Sequence, residues 1–147
     1  MSSSNTKTLL KKIFSLLSVI RGYNILVLII AQYLAAVFIF SPEKSIRHVF
    51  FDIDLLYIVL ASVCVVAAGY IINNFYDVQV DKINRPVKTG LDNYVKQSTK
   101  LSLYFFLNFL GFTFGLFVSL KSAMFFSVYI FSIWFYSHKL KRYAFTG

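Results

Sequence analysis

NNFYDVQVDKINRP, residues 73–86, follows directly on LYIVLASVCVVAAGYII, residues 56–72. A run this apolar is expected to face lipid and end on a basic anchor. It ends instead on an amide and two carboxylates, Asn73, Asp77 and Asp81, four residues apart, followed by Lys82, Arg85 and Lys88. Residues four apart on an α-helix advance by ~400°, so the three form one slowly drifting stripe over two turns. Like charges on one stripe repel unless a cation lies between them. Hard oxygen donors of this kind suit Mg²⁺, which keeps several waters and is usually completed by phosphate oxygens. The basic residues that follow supply the positive charge a diphosphate needs. A second reading sets Asp77 and Asp81 past the helix end in water, paired with Lys82 and Arg85 as interface charges. Asn73 favours the site, because an amide one turn deeper in the stripe does not belong to a rim.

Outside this stretch, composition places the chain in a membrane. Of 147 residues, 58% are hydrophobic and 14% charged, with a mean hydropathy of +0.68, beyond the usual range of soluble domains. Fifteen Lys and Arg against six Asp and Glu give a formal charge of +9, but the excess lies between apolar runs and gathers in no face or tail. That pattern argues against nucleic acid and for an anionic membrane surface or a phosphate-bearing ligand. The single cysteine, Cys64, sits inside an apolar run, so neither a disulfide framework nor a cysteine metal site is available.

Four stretches carry no formal charge: 23–40, 55–76, 101–120 and 123–137. A hydrocarbon layer ~30 Å thick needs about 20 helical residues, and the first three stretches supply them. The fourth is short and spans, to about residue 138, if Lys121 and Lys139 snorkel to the two interfaces. Before the first span, LLKKIFSLLSVIRG, residues 9–22, sets Leu9, Leu10, Ile13, Phe14, Leu17 and Ile20 on one face and Lys11, Lys12, Ser15 and Ser18 elsewhere. This is the pattern of an amphipathic interfacial helix; the short apolar run, stopped by Arg21, does not read as a signal peptide. Lys and Arg number four before the first span, two in the next loop, five from Asp77 to Lys100, one at Lys121 and three after Ser137. The positive-inside rule then puts both termini and the 77–100 loop in the cytoplasm, with the protein in an inner or cell membrane. The expected fold is an all-α membrane protein of four transmembrane helices preceded by the interfacial helix, one domain over 1–147.

The Asn-x-x-x-Asp-x-x-x-Asp pattern of residues 73–81 resembles the first aspartate-rich motif that ends the second transmembrane helix of the UbiA superfamily of intramembrane prenyltransferases. RGYN, residues 21–24, is similar to the Arg and Asn at the start of that family's first helix, and YSHKLKR, residues 136–142, to the Tyr-Ser-x-x-Leu-Lys segment closing the fourth. The resemblance implies Mg²⁺ held by Asn73, Asp77 and Asp81 on the diphosphate of a polyprenyl donor, with Arg85, Lys141, Arg21 and Asn24 binding the diphosphate. It implies catalytic roles for Asp77, Asp81 and Tyr136, the last facing the allylic carbocation left when diphosphate departs. A prenyl acceptor in or on the bilayer completes the expected reaction. DKINRP, residues 81–86, and YSHKLK lean toward the branch containing digeranylgeranylglyceryl phosphate synthases and chlorophyll synthases.

Members of that superfamily have about twice as many helices and a second aspartate-rich motif in a later cytoplasmic loop. No acidic residue follows Asp92 here, so the chain is expected to be an N-terminal half, to hold half a metal site, and to be inactive as a fragment alone. A different class stays open: a non-catalytic membrane protein or transporter fragment using Asp77 and Asp81 as a cation path. A transport carboxylate belongs near the bilayer midplane, whereas these come at the cytoplasmic end. Arg21, Lys139, Lys141 and Arg142 also satisfy the charge bias as plain anchors, and Tyr136 also suits an interfacial aromatic belt. Gly111 and Gly115 read as a small-residue helix-packing pair. His48 and His138 show no ligand spacing and read as interfacial.

Overall fold

The computed structural model describes residues 2–84 and 97–140, with 77–84 and 139–140 described as helix backbone. All its elements are helices; no strand occurs among the described residues. Helix α1, Ser2–Ile20, leads through Arg21 into α2, Gly22–Ala35, whose continuation Ala36–Phe40 widens to a π-helical turn. A short α3, Ile46–Phe50, precedes α4, Ile53–Asn84. Then come α5, Gln97–Val118, and α6, Leu120–Phe135, which ends in a second π-helical turn, Tyr136–Leu140.

Side-chain oxygens set the helix starts. Asp52 Oδ1 accepts hydrogen bonds from the N–H of Asp54 at 2.9 Å and of Leu55 at 3.3 Å, opening α4. The Ser45 and Ser119 hydroxyls do the same for His48 at 3.2 Å and Ser122 at 3.1 Å. Each occupies a donor that the first turn leaves without an internal partner. Ser119, in extended conformation, is the single residue between α5 and α6.

Among the described residues, three helices are long and apolar enough to cross a bilayer: Gly22–Phe40, Ile53–Tyr76 and Gln97–Val118. They match the first three expected spans. Helix α6, Leu120–Phe135, runs on through its π-helical turn to Leu140 and is not among these three. Helix α4 outruns its apolar part and stays helical to Asn84, two turns beyond Tyr76. Asp77 and Asp81 therefore lie within the helix, which corrects the reading that set them past its end. Residues 77–84 contain no Gly or Pro to interrupt the helix.

Helix α1 turns only a narrow side to the bundle. Leu9, Leu10, Ile13, Phe14 and Leu17 are exposed, whereas Ser15 and Val19 are buried. Val19 joins Ala68, Ile71, Ile72 and Tyr104 in a core cluster, with Ile20 packed at its edge. The helix docks through a narrow side centred on a serine, and its broad apolar face points outward, as a lipid-facing surface would.

Helix α5 makes its most extensive contact along α4, and glycines set that distance. A Cβ added at Gly111 would lie 2.6 Å from Val65 Cγ2 and 3.3 Å from the Ala61 carbonyl oxygen, whereas one at Gly115 would lie 3.0 Å from Phe126 Cδ2 on α6. The pair thus serves two neighbours, in keeping with small residues at membrane helix contacts. At the other end of α5, fully buried Lys100 donates from Nζ to Asn74 Oδ1 at 2.9 Å, tying α5 to the end of the apolar part of α4. We expect Gly111→Ala to destabilise the bundle by about 1–3 kcal/mol through overpacking, measured by reversible denaturant unfolding in micelles. Gly22→Ala, whose Cβ would meet nothing closer than 3.5 Å, should be neutral or slightly stabilising, because alanine favours helix over glycine.

Candidate active site

Asn73 lies at the last turn of the apolar part of α4, half-buried. Its neighbour Asn74 is turned into the bundle, where it holds Lys100. Consecutive helical residues point about 100° apart, so one asparagine serves packing while the other reaches a cavity. That cavity, of about 360 Å³, is lined by Arg21, Tyr70, Asn73, Tyr136 and Ser137, with Val66, Gly69, Tyr129 and Ile133 on its apolar side. Three residues singled out from three separate sequence motifs, Arg21, Asn73 and Tyr136, therefore share one space.

Arg21 reaches it from the joint between α1 and α2. Its backbone is left-handed, φ 52° and ψ 65°, and it is the only non-glycine residue with positive φ among those described. Its N–H bonds the Ser18 carbonyl at 3.3 Å, and its own carbonyl accepts from Asn24 N–H at 2.9 Å, so the residue closes one helix and opens the next. Glycine is the usual residue at a left-handed helix end, and the strain of placing another residue there costs about 1–2 kcal/mol. Glycine comes one position later, at Gly22. Strain kept at a cavity wall points to a need for the side chain.

Tyr70 receives that side chain. The guanidinium carbon sits 5.4 Å from the centroid of the Tyr70 ring, within cation–π range, and Asn24 Nδ2 donates to the Tyr70 hydroxyl at 3.4 Å. One aromatic residue on α4 thus engages both Arg21 and Asn24. Sequence reasoning passed over Tyr70, although it lies three residues before Asn73 and hence on nearly the same helical face.

Tyr136 is exposed on the π-helical turn that ends α6, and Ser137 beside it is buried. His138 has close partners: Nδ1 lies 3.0 Å from the Tyr76 hydroxyl, and its ring stacks on Trp134 at 5.1 Å between centroids. His138 is therefore a packed rung between α6 and α4, resting on the residue just before Asp77.

Asp77 and Asp81 continue the helix that carries Asn73, at the four-residue interval. Their side chains, and all of Arg85 and Lys141, lie outside what is described. No cluster of three or more His, Cys, Asp or Glu that could hold a metal occurs among the described residues. An unbroken helix bearing Asn73, Asp77 and Asp81 on one stripe suits a hard divalent cation, since all three donors are oxygen.

Residues 44–147 match the UbiA prenyltransferase family. Digeranylgeranylglyceryl phosphate synthase from Sulfurisphaera tokodaii is 27% identical over 93 residues, and the synthase of the same name from Thermococcus gammatolerans is 31% identical over 93. Each match covers 63% of this chain and 33% of the relative, so the chain spans about a third of their length. A solved structure concerning digeranylgeranylglyceryl phosphate synthase in membranes superposes with a TM-score of 0.74 at 22% identity, covering 88% of this chain and 44% of that one. At that identity the likeness is one of fold. The family match extends over the helix with the aspartate stripe and the segment closing α6, and the chain belongs to the UbiA prenyltransferase family.

Proposed function

We propose that this chain forms the donor-binding side of a Mg²⁺-dependent transferase, which moves a polyprenyl group from its diphosphate to a lipid-soluble or membrane-surface acceptor. The observation that carries this reading is the single cavity collecting Arg21, Asn73 and Tyr136 beside the helix that continues through residues 77 and 81. The names of the two relatives make a glyceryl phosphate lipid the acceptor class to try first.

In this reading Asn73, Asp77 and Asp81 would hold Mg²⁺, which when bound would supply positive charge to offset that of the diphosphate. Arg21, Asn24, Arg85 and Lys141 bind phosphate oxygens from the other side, Arg21 held ready over Tyr70. The allylic carbon–oxygen bond breaks, its electron pair leaving with diphosphate. Tyr136 presents a ring and phenol oxygen to the carbocation, and the apolar wall of Val66, Gly69 and Ile133 keeps out water that would quench it. The acceptor oxygen then forms the new bond to carbon and loses its proton to the departed diphosphate. In the membrane arrangement that goes with this, α6 is a fourth crossing, α1 lies at the interface, and both termini and the 77–100 loop are cytoplasmic.

The topology is checked by cysteine accessibility in a Cys64→Ser background. Thr89→Cys should be labelled only from the cytoplasmic side and Lys44→Cys only from the outside; the reverse would remove the site from the face where donor is supplied. The metal is checked by binding of geranylgeranyl diphosphate to the chain in nanodiscs. We expect Asp77→Asn to weaken Mg²⁺-dependent binding at least ~10-fold, no less than is typical of disturbing a metal's supporting shell. Asp92→Asn, off the stripe, should stay within about twofold. Equal effects of both, or undiminished binding in EDTA, would end the assignment.

The aromatic seat of Arg21 is tested by a double-mutant cycle on pyrophosphate affinity. Tyr70→Leu should cost ~3–10-fold, the scale of a cation–π contact, and Tyr70→Phe much less. In an Arg21→Gln background Tyr70→Leu should cost nothing further. Additive losses would show that Tyr70 does not act through Arg21.

A further inference from the structure

The cavity at Asn73 and a second one lie along the same pair of helix faces. On α4, Ile58, Ser62, Val66, Gly69 and Asn73 recur at intervals of three and four, which makes them one face of the helix. On α6, Ser122, Phe125, Tyr129, Ile133 and Tyr136 do the same. Members of both faces line the cavity at Asn73, and members of both line a second one of about 420 Å³ farther along, which α2 joins through Gln32. The wall between the two is apolar on α4.

The second cavity is polar in an unusual way. Ser62 Oγ lies 3.2 Å from Gln32 Oε1 and 2.9 Å from the Ile58 carbonyl, and a hydroxyl has one proton to give to the two acceptors. Gln32 Nε2 is buried with no hydrogen-bond partner among the described residues. An under-satisfied amide inside an apolar span is costly, and Lys121 and Ser122 stand next to it in the same lining. Hydrocarbon arriving here from the Asn73 end would meet an amide, a hydroxyl and a cation after an apolar run.

We propose that the two cavities form one groove and that Gln32 and Ser62 are its polar stop, setting the length of the prenyl tail it accepts. The proposal rests on the reading above, in which a prenyl diphosphate binds with its head at Asn73. Ser62 lies eleven residues before Asn73 in α4, about 16 Å at ~1.5 Å per residue. An extended chain advances ~3.4 Å per three bonds, so a four-bond isoprene unit takes ~4.5 Å and the distance corresponds to about three and a half units. A farnesyl tail fits and a geranylgeranyl tail reaches the stop; longer ones must pass it.

The test uses the chain in phosphatidylcholine nanodiscs with Mg²⁺, titrated with inorganic pyrophosphate and with geranyl, farnesyl, geranylgeranyl and hexaprenyl diphosphates. Affinity should rise from pyrophosphate to farnesyl or geranylgeranyl and fall ~10-fold for hexaprenyl, the scale on which apolar sites discriminate by size. Gln32→Leu should bring hexaprenyl to within about twofold of geranylgeranyl, because the stop is removed. Ser62→Phe should fill the groove and move the optimum to geranyl. Pyrophosphate affinity, unchanged in both variants, reports that each is folded. Hexaprenyl binding as well as geranylgeranyl in the unaltered chain, or the same length profile in both variants, would overturn the stop while leaving the donor site standing. Failure of pyrophosphate and every donor to bind would overturn the donor site itself.

Discussion

In hydrocarbon, a backbone amide or carbonyl without an internal partner costs several kcal/mol, and this constraint makes α4 the axis of the molecule. Its thirty-two residues form one unbroken helix, so every backbone group inside the apolar layer is satisfied along the helix. The same ladder runs on past Tyr76 and carries the register of the buried turns to residues 77 and 81. A break at the interface would have left the aspartates with no fixed relation to Asn73. Helices α1, α2, α5 and α6 all pack on α4, so the cavity walls are referred to one rigid element.

Lipid offers little hydrophobic reason for helices to associate, which leaves close packing and polar contacts to do so. Gly111 meets Val65 and Ala61, and Gly115 meets Phe126. On the α6 side, a Cβ at Gly69 would lie 3.1 Å from Ile133 Cγ2, next to the cavity it lines. Lys100 and Asn74 fasten the end where the chain leaves the membrane. The result is a bundle drawn tight along α4 and α5, with its concave side toward α2 and α6.

What was legible in the sequence followed from periodicity and charge. Uncharged runs marked three crossing helices, and intervals of four put Asn73, Asp77 and Asp81 on one stripe. The motifs at residues 21–24 and 136–142 led to Arg21 and Tyr136, which meet Asn73 at the cavity. Pattern could not decide which side of a helix faces a neighbour when lipid rewards apolar side chains everywhere. On α1 it is Ser15 that is buried in the bundle, a contact the amphipathic pattern gave no sign of, while Phe14 on the apolar face is exposed. Tyr70 was hidden because an aromatic residue in an apolar helix carries no mark of its partner, and Arg21 is forty-nine residues away. The rung between His138 and Tyr76 was hidden likewise, since it depends on a π-helical turn that spacing rules for ordinary helices do not foresee.

That rung carries a spectroscopic consequence. Trp134 is the only tryptophan in the chain, and its indole lies nearly parallel to the His138 imidazole, 10° between planes. The imidazole is hydrogen-bonded to Tyr76, the residue preceding Asp77. Indole emission responds to the polarity and electronic character of a stacked neighbour, so the fluorescence of this protein is a native, label-free reading of how α6 is seated on α4 beside the aspartate stripe.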